Sequence, residues 1–440
     1  MMKDISLKIR DAGVVGAGGA GFPTYVKLES QVKFYIANGA ECEPLLHKDK
    51  ELMKEEPETI IRGLDLAVEA TGASRVFFAA KRKYPDSFNI VNDLIRKTTY
   101  EMLELGNFYP SGDEYELVYL ATGALIPPGG IPLQVNTVVN NIETLYNIAR
   151  AAEGKPVVDT LVTVNGDVRE PSTFWAPIGC SINDILEAAG GTKLEEPYAL
   201  SGGAMMGSVE NDFSKVINRT SAGIIIVPPE HTLVRKKTQT TAQFSRIGKS
   251  TCDQCSDCTA MCPRYLLGYA IEPHNVMRSL GFTGSHNEIY DHFGLLCCEC
   301  NICSLYACPE DLNPKQVCVE AKRALNSTGR GRDFPESREK VHEMKESRRI
   351  PLEKLTQRLG LKPYNKPAPF KNIEIKPEMV TIPLKQHVGE KAKPVVDTGA
   401  RVERCDIIAN VPEDKLGVPI HASIGGKVTY IDNEVIKIER

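Results

Sequence analysis

The chain has 440 residues, of which 42% are hydrophobic and 25% are charged, and its formal net charge is −4 at pH 7. This length predicts three or four domains of ~100–150 residues, and the nearly balanced charge gives no electrostatic reason to expect a nucleic acid or an anionic membrane as a partner. No apolar run approaches the ~18–20 residues of a membrane helix, and the first residues lack the apolar core of a signal peptide, so we expect a cytoplasmic protein without a membrane span.

The first motif along the chain is the glycine-rich stretch GVVGAGGAGFPTYVKL, residues 13–28. It has the Gly-x-Gly-x-x-Gly spacing of a dinucleotide-binding loop, and Glu41 stands where such a site places an acid for the ribose. However, charged residues precede the loop where a buried strand is needed, and Pro23 interrupts the helix that should follow. The convincing strand pattern comes only afterwards, at residues 32–41. This context argues against an ordinary NAD fingerprint.

Three further polar segments follow at the ends of predicted elements. NGAECEP (38–44) comes directly after the strand, YPSGDE (109–114) forms a turn before a helical stretch, and VVNNIETL (138–145) runs from a strand into a helix. Ligands of α/β proteins gather at strand ends, and asparagine side chains and helix N-termini suit flavin ring edges and phosphate. Taken alone, the pair Asn140–Asn141 is better explained as a helix cap.

Together, the four motifs resemble, in order, the FMN- and NADH-binding domain of the complex I flavoprotein subunit and of the Rnf complex C subunit. The resemblance covers about residues 5–150 and implies that NADH stacks over an FMN held by the glycine loop and the paired asparagines. It places Glu43 and Glu114 on the nicotinamide side. The chain departs from complex I at Ala17, where that family has arginine, and at Asp113, where it has glutamate. The implied FMN site consists of Gly16, Gly18, Gly19, Lys27, Asn38, Glu41, Tyr109, Gly112, Asp113, Asn140, Asn141 and Thr144.

Residues 156–230 alternate apolar and polar positions around the stretch SGGAMMGS and contain no catalytic constellation. They resemble the β-grasp SLBB module that follows the flavin domain in these proteins. The resemblance implies a spacer and a partner-binding surface. We expect Met205 and Met206, in the middle of this segment, to pack in the core.

Nine of the 13 cysteines lie in two short motifs, TCDQCSDCTAMCPRY and CCECNICSLYACPED, whose first cysteines, Cys252 and Cys297, are 45 residues apart. Three thiols at two-residue intervals, followed by a Cys-Pro pair, are typical of two-cluster ferredoxins, in which the fourth cysteine binds the other cluster. Structural zinc sites usually pair two CxxC knuckles instead. We therefore predict two [4Fe–4S] clusters, one held by Cys252, Cys255, Cys258 and Cys308, the other by Cys297, Cys300, Cys303 and Cys262.

The second motif has two irregularities. It has four residues instead of three before its last cysteine, and Cys298 stands beside Cys297 as an alternative ligand. The spacing favours Cys297, and the choice stays open at this point. The remaining cysteines have no partners in the sequence and are predicted to be small buried hydrophobes: Cys42, Cys180, Cys318 and Cys405.

The last two segments carry no cofactor motif. Residues 331–372 are charged and end Pro-rich, which predicts a linker with a short helix, around RIPLEKLTQRLGL, docked on a neighbouring domain. The tail, residues 376–440, has short β patterns in two halves, each with a histidine (His387, His421) followed by a glycine-containing turn. It resembles the barrel-sandwich hybrid of lipoyl and biotinyl carriers. Because their hairpin lysine is missing, we expect no swinging cofactor.

The order of these segments predicts a multidomain protein of α/β and α+β class. The Rnf complex has a barrel-sandwich part at the N-terminus of its C subunit, whereas the order found here resembles that of the cobalamin reductases of propanediol-utilisation microcompartments. The predicted parts are a Rossmann-like FMN- and NADH-binding domain (1–155), a β-grasp SLBB domain (156–232), a helical ferredoxin-like domain with two [4Fe–4S] clusters (233–330), a linker (331–372) and a barrel-sandwich hybrid (373–440).

This resemblance implies an NADH-dependent oxidoreductase that passes electrons through FMN and the two clusters to a corrinoid, with cobalamin as a further bound group. No side chain need act as acid, base or nucleophile, because the cofactors carry the redox chemistry. The alternative is an Rnf C-like electron-transfer protein that serves a protein partner such as a reductase, a ferredoxin or a bifurcating complex. The resemblance further implies a location in the cytoplasm or in a bacterial microcompartment, with shell proteins or enclosed enzymes as partners.

Overall fold

The structure is a computed structural model that describes residues 2–282, 288–338 and 340–440. Its first segment, which we call the α/β part, ends at residue 152. Strands and helices alternate along most of this segment, which is the pattern of a parallel sheet covered by helices. The elements are α1 (Met2–Asp11), α2 (Thr24–Leu28), β1 (Phe34–Asn38), α3 (Lys48–Glu55), α4 (Pro57–Thr71), β2 (Arg75–Lys81), α5 (Pro85–Ile95), β3 (Glu101–Leu105), β4 (Phe108–Tyr109), α6 (Glu114–Thr122), a 3-10 turn (Pro132–Val135), β5 (Thr137–Asn141) and α7 (Ile142–Ala152).

The α/β part contains a four-stranded parallel sheet in the order β3-β2-β1-β5. Parallel sheets need cover on both faces, and here α4, α5 and α7 pack on one face while α6 packs on the other. The strand predicted after the glycine loop forms as β1. The segment before the loop is helix α1, which confirms that the loop does not follow a strand. Asp113 and Asn141 cap α6 and α7, so the latter helix begins before Thr144.

The second segment, which we call the sheet part, is built from β6 (Asp159–Gly166), β7 (Ser172–Pro177), α8 (Ile182–Ala188), β8 (Tyr198–Ser201), β9 (Ser208–Glu210) and β10 (Gly223–Val227). The strand order is β7-β6-β10-β8-β9; β6 and β10 are parallel, the other pairs are antiparallel, and α8 packs on one face. Met205 is buried as predicted, but Met206 is 59% exposed. The prediction for Met206 was wrong, because the loop turns its backbone towards Glu43 and leaves the side chain outside.

The third segment, which we call the cysteine part, is helical. It contains α9 (Thr232–Lys237), α10 (Thr241–Thr251), α11 (Asp257–Ala260), α12 (Pro263–Leu266), α13 (Pro273–Ser279), α14 (Glu288–Asp291), a 3-10 turn (His292–Gly294), a π-helical turn (Cys303–Ala307) and α15 (Pro314–Ser327). Helices α10, α13 and α15 share a small apolar core that includes Cys308 and Cys318. Among the described residues, no helix combines the length and apolar character needed to cross a membrane.

The segment predicted as a linker contains the short strand β11 (Ile350–Pro351), helix α16 (Leu352–Arg358) and a 3-10 turn (Lys362–Tyr364). Strand β11 pairs with β4 of the α/β part. Leu355 and Leu361 are fully buried in an apolar core that also contains Tyr109 of the α/β part and Cys300 of the cysteine part. The predicted docking of a short helix on its neighbours is confirmed.

The C-terminal part is all β. It consists of β12 (Met379–Pro383), β13 (Lys393–Pro394), β14 (Arg401–Val402), β15 (Ile407–Asn410), β16 (Ile420–His421), β17 (Gly426–Ile431) and β18 (Val435–Glu439). Two sheets, β12-β18-β17-β14 and β13-β15-β16, enclose one aliphatic core. This part packs on the glycine loop, where the Gly21 carbonyl accepts a hydrogen bond from the Val388 N–H at 3.2 Å. Residue 21 must be glycine for two reasons: its φ is +72°, and a Cβ there would lie 2.9 Å from the Gln386 carbonyl oxygen.

Candidate redox site

The four predicted flavin motifs meet at the carboxyl edge of the parallel sheet. Strand β1 ends at Asn38, which is in register with Asn141 at the end of β5. Asn38 Nδ2 donates to the Gly112 carbonyl at 3.0 Å, which joins the turn at residues 109–114 to this edge. Because parallel strands present their carboxyl ends together, this edge is where α/β proteins commonly bind ligands.

The glycine loop closes over the beginning of α7. The Ala17 N–H donates to Thr144 Oγ1 at 3.0 Å. Gly18 lies against Asn141, and a Cβ at residue 18 would come within 2.9 Å of the Asn141 Cβ. At Gly19, by contrast, a Cβ would meet no atom within 4 Å. The loop therefore packs tightly on one side and faces open space on the other.

Asn141 uses both ends of its side-chain amide. Its Oδ1 accepts from the Glu143 N–H at 2.8 Å and caps α7, while its Nδ2 donates to both carboxyl oxygens of Asp49 at 3.1 Å. Burial and the nearby Glu41 carboxylate raise the pKa of Asp49 to about 8. Glu41 accepts from the Asp49 N–H at 2.9 Å, and burial raises its pKa as well. The edge thus contains two adjacent carboxyl groups whose pKa values are both raised by burial.

Two buried polar atoms at this edge lack a hydrogen-bond partner among the described residues: Lys81 Nζ, at the end of β2, and Ser111 Oγ, in the turn at residues 109–114. Buried polar groups in native proteins are nearly always satisfied. These donors, the open face of the glycine loop and the strand-end asparagine Asn38 fit the polar edge of a flavin. Lys27 Nζ donates to the Val139 carbonyl at 2.8 Å and lies 3.8 Å from Glu114.

Two predicted site residues make their hydrogen bonds elsewhere. Asn140 Nδ2 donates to the Tyr35 hydroxyl at 2.7 Å, inside the apolar core. The two carboxylate oxygens of Glu43 accept from the backbone N–H groups of Met205 and Met206, each at 2.9 Å. Glu43 therefore joins the α/β part to the sheet part. The predicted place of Glu43 beside the nicotinamide stays a prediction.

Two others reach the cysteine part. The buried Tyr109 hydroxyl donates to the Cys300 carbonyl at 2.9 Å. Asp113 caps α6 and also accepts from Arg264 Nη1 at 2.8 Å, in an ion pair that is almost fully buried. Arg264 follows Cys262 by two residues, so through these two contacts the predicted flavin edge lies beside the predicted cluster site of Cys262, Cys297, Cys300 and Cys303.

A cavity of about 490 Å³ lies between α3, the loop that precedes α5, and the segment at residues 352–369. Among the predicted site residues only Glu43 lines it. Lys50 and Lys54 are at its wall, and the Lys50 ammonium lies 4.4 Å from the centre of the Tyr84 ring. This cavity is separate from the open face of the glycine loop.

The thiols of the first predicted cluster site line one small cavity. Nowhere in the described residues do three Cys, His, Asp or Glu side chains lie close enough to bind a single metal ion. The four cysteines of this site instead line a space, as a four-iron cluster requires. Cys255 is exposed there, whereas Cys258 and Cys308 are buried. The set combines three thiols of the first motif with the last thiol of the second, which supports the crossed assignment: Cys252, Cys255, Cys258 and Cys308.

The thiols of the second predicted site also lie together. Cys262 and Cys297 pack in one apolar cluster. Burial, followed by the charges of Cys297, Cys258 and Cys262, raises the pKa of Cys303 well above its usual value. Iron binding would reverse this, because a bound cation favours the thiolate. The donor set therefore fits a [4Fe–4S] cluster.

The backbone of the two motifs repeats with the same offset as the cysteines. Left-handed residues stand two and four positions after Cys252, and again two and four positions after Cys297. This equivalence supports Cys297 as the ligand that corresponds to Cys252. A hydrogen bond with Cys300 lowers the pKa of the neighbouring Cys298 to about 7. The left-handed residues are Gln254 (φ +62°), Ser256 (φ +70°), Glu299 (φ +61°) and Asn301 (φ +68°).

The extra residue of the second motif is accommodated by the π-helical turn at Cys303–Ala307, in which the Cys308 N–H donates to the Cys303 carbonyl at 3.2 Å. A π-turn takes one more residue than an α-turn and is often found at functional sites. Pro263 begins α12 directly after Cys262. Pro309, in contrast, lies in a turn, and the next helix begins only at Pro314.

The four cysteines outside the motifs differ in burial. Cys180 and Cys318 are buried as predicted, Cys42 is half-buried, and Cys405 is exposed. The prediction for Cys405 was wrong, because this residue occupies a left-handed turn (φ +81°) at the surface of the C-terminal part. Cys318 is in hydrogen-bond contact with the Cys297 thiol, so it adds, besides Cys298, a further sulfur next to the second site.

Sequence reasoning missed three charged residues at these sites: Asp49, Lys81 and Arg264. A signal for Asp49 exists, since the charged run HKDKEL follows NGAECEP after only two leucines; in the structure this run belongs to α3, which is largely buried. Arg264 stands directly after a Cys-Pro pair. Lys81 ends a buried strand, where a charged residue needs a partner.

Family models match four segments of the chain. They are described as the Nuo51 FMN-binding domain (residues 9–150), the SLBB domain (161–209), the 4Fe-4S dicluster domain (251–313) and the RnfC barrel sandwich hybrid domain (358–439). With the geometry above, these matches define an oxidoreductase that contains an FMN-binding domain and a domain for two [4Fe–4S] clusters. The predicted FMN and iron–sulfur cofactors are confirmed at this level.

The chain belongs to the family of the cobalamin reductase PduS. It is 37% identical to PduS of Salmonella typhimurium over 99% of this chain and 96% of that protein, and equally similar to PduS of Citrobacter freundii over 98% and 96%. It is also 30% identical to the C subunit of the proton-translocating ferredoxin:NAD(+) oxidoreductase complex of Clostridium ljungdahlii, over 67% of this chain and 63% of that one. The predicted resemblance to both families is confirmed.

Among solved structures, an NAD+-reducing [NiFe]-hydrogenase in the H2-reduced state superposes with a TM-score of 0.51 at 20% identity, over 73% of this chain and 62% of that one. At this identity the match concerns the fold alone. It agrees with the mixed α/β architecture described above.

Proposed function

We propose that this chain is an NADH-dependent oxidoreductase that reduces a corrinoid, converting cob(III)alamin or cob(II)alamin to a lower cobalt oxidation state. The observation that carries the proposal is the end-to-end similarity to two cobalamin reductases PduS, at 37% identity. When bound, FMN accepts a hydride from NADH and the two clusters carry single electrons.

The protein's own residues bind and position these groups. The open face of the glycine loop at Gly19 receives the flavin, with Lys81 and Ser111 as donors to it, while Asn38 and Asn141 fix the turn and the helix start that surround it. The remaining predicted flavin residues support this edge from the loop, the turn and the start of α7. In this proposal Glu114, which is solvent-accessible beside Lys27, orients the nicotinamide. Glu43 fixes the loop at Met205 and Met206 beside the nicotinamide.

The contacts between the parts support a continuous redox unit within one chain. Tyr109 binds the Cys300 carbonyl, and Asp113 pairs with Arg264, so the flavin edge and the second cysteine site are held in fixed relation. We assign the four parts as a Rossmann-like flavin domain, a β-grasp, a ferredoxin-like domain and a barrel-sandwich hybrid. By analogy with PduS we further propose that the protein works in a propanediol-utilisation microcompartment, with its shell or enzymes as partners.

A second candidate function is supported by the similarity to the C subunit of the Rnf-type complex. Here the chain passes its electrons to another protein. The structural observation that favours it is the exposed Cys255, since a cluster ligand at the surface offers a docking protein a short path to the cluster.

Anaerobic mixing of the purified protein with NADH and hydroxocobalamin distinguishes the two. Corrinoid reduction predicts loss of the Co(III) absorbance at a rate that depends on enzyme concentration. The second candidate predicts rapid bleaching of the flavin without reduction of cobalt. An Asn141→Ala variant, expected to lack FMN and keep its clusters, is the matched control and should show neither change.

A further inference from the structure

We propose that the C-terminal part completes the flavin site. Together with Arg219, which lies between β9 and β10 of the sheet part, it holds both ends of the glycine loop in the conformation that receives FMN. Arg219 is the positioning residue of this contact. The inference deepens the proposed function and rests on it, because it takes the glycine loop to be the FMN-binding loop.

The glycine loop has little regular structure of its own. Its neck is closed by a hydrogen bond from the Gly16 N–H to the Phe22 carbonyl at 3.0 Å, and residues 17–20 between them form turns. Gly19 in these turns presents the open face at which we place the flavin. Irregular backbone loses conformational freedom when it binds a ligand, so contacts that already hold it in the bound form raise the affinity.

Both ends of this loop touch the same neighbouring elements. Gly21, at one end, accepts the hydrogen bond from Val388 of the C-terminal part. Gly13, at the other end, has a φ of +74°. A Cβ at residue 13 would lie 2.8 Å from the Pro419 carbonyl oxygen and 2.9 Å from Arg219 Nη2. The C-terminal part therefore contacts the loop at two points, one on each side of the open face.

Arg219 joins the sheet part to the C-terminal part at this contact. Its Nη2 donates to the Pro419 carbonyl at 2.8 Å, and its backbone N–H donates to Gln386 Oε1 at 3.2 Å. The side chain is 3% exposed, and its Nε and Nη1 have no hydrogen-bond partner among the described residues. Burial lowers the pKa of Arg219 to about 10, which leaves it a cation at neutral pH. A buried cation with unsatisfied donors is costly, and such departures from the usual pairing are expected at functional sites.

The two halves of the tail bring their histidines to the same contact. His387 Nε2 accepts from the Val418 N–H at 3.4 Å, so its Nδ1 carries the proton and donates to the Val388 carbonyl at 3.0 Å. This ring fixes the backbone of Val388, whose N–H binds the glycine loop. His421 is 5% exposed, and burial and the charge of Arg219 lower its pKa to about 3. Both histidines are therefore neutral and serve the packing of the C-terminal part on the loop.

FMN affinity and amide exchange, measured on the anaerobically purified full chain, test this proposal. Arg219→Met should weaken FMN binding at least tenfold, because the loop must then be ordered when the flavin binds. In protein from which FMN has been removed, hydrogen exchange at residues 13–25 should be faster than in the unaltered chain. Iron content should not change, since the contact lies outside the cysteine part.

Three variants separate this role from a general effect on packing. Arg404→Met breaks the ion pair with Asp159, which also joins the C-terminal part to the sheet part but does not involve the glycine loop, and it should change neither readout. Arg219→Lys keeps the cation and a donor for the Pro419 carbonyl and should regain most of the affinity. Gln386→Met removes the acceptor of the Arg219 N–H, and its smaller effects on both readouts keep the test valid if Arg219→Met does not fold.

Unchanged FMN affinity or unchanged exchange at residues 13–25 in Arg219→Met would overturn the proposal. An equal loss of affinity in Arg404→Met would overturn it too, because any loosening of the C-terminal part would then have the same effect. An unaltered chain that binds no FMN would instead contradict the proposed function, and the exchange rates would still decide whether Arg219 holds the loop.

Discussion

Asn141 has two separable roles, and its substitution tests the flavin site. Asn141→Ala removes the N-cap of α7, which costs about 1 kcal/mol. It also removes two hydrogen bonds to the buried Asp49, and leaving such a group without its donor costs roughly 1–3 kcal/mol more. We therefore expect the α/β part to lose about 2–4 kcal/mol of stability. We also expect FMN to be lost, because Asn141 lies directly beneath the glycine loop at Gly18.

Asn141→Ser is the matched control, because serine keeps the cap and lacks the amide donor. The assay is FMN released per chain, with iron content measured on the same sample and thermal unfolding followed in parallel. Both variants should lose FMN and retain both clusters, and the serine variant should regain about 1 kcal/mol. Unchanged FMN affinity in the alanine variant would refute the site. FMN binding by the serine variant alone would show that Asn141 acts only as a helix cap.

Three further outcomes follow from the same structure. Cys297→Ser should lose about four irons and Cys298→Ser should keep all of them, because the backbone repeat makes Cys297 the counterpart of Cys252. The reverse iron contents would contradict this assignment. Gly63→Ala would drive a Cβ into the Leu145 carbonyl between α4 and α7, so the stability should fall by roughly 3 kcal/mol, and an unchanged thermal midpoint would contradict that packing. The pKa of Asp49 is about 8 in the folded protein and 3.8 ordinarily, so the folded protein holds an extra proton between these values and loses stability as the pH rises from about 4 to 8. Asp49→Asn should therefore reduce the fall in thermal midpoint between about pH 6 and about pH 8.5. The same fall in the variant and the unaltered protein would speak against this assignment.

The sequence predicts those features that have a local physical signature. A strand that ends in asparagine and a helix that begins beside it place Asn38 and Asn141 at one edge, because parallel strands share the direction of their carboxyl ends. Cysteine spacing likewise predicts the two thiol sets, because three thiols at two-residue intervals can face a common centre. The short helix at Leu352–Arg358 docks because the spacing of its leucines places both of them on one face.

Contacts between distant segments could not be predicted in this way. Glu43 binds the amides of Met205 and Met206, and Tyr109 binds Cys300, across separations of more than 160 residues. Nothing in the neighbourhood of Glu43 or Tyr109 in the sequence indicates such partners, because the contacts depend on how whole parts pack. The family resemblance places Asn140 in the flavin site together with Asn141, but successive strand residues point to opposite faces, and the Asn140 amide donates to the Tyr35 hydroxyl.

Metal and flavin analysis of anaerobically purified protein tests most directly whether a single chain carries the complete set of redox centres. Two [4Fe–4S] clusters and one flavin predict about eight irons, about eight acid-labile sulfides and one FMN per chain. Zinc in place of iron, or a chain that holds iron but binds no FMN when the flavin is supplied, would contradict it.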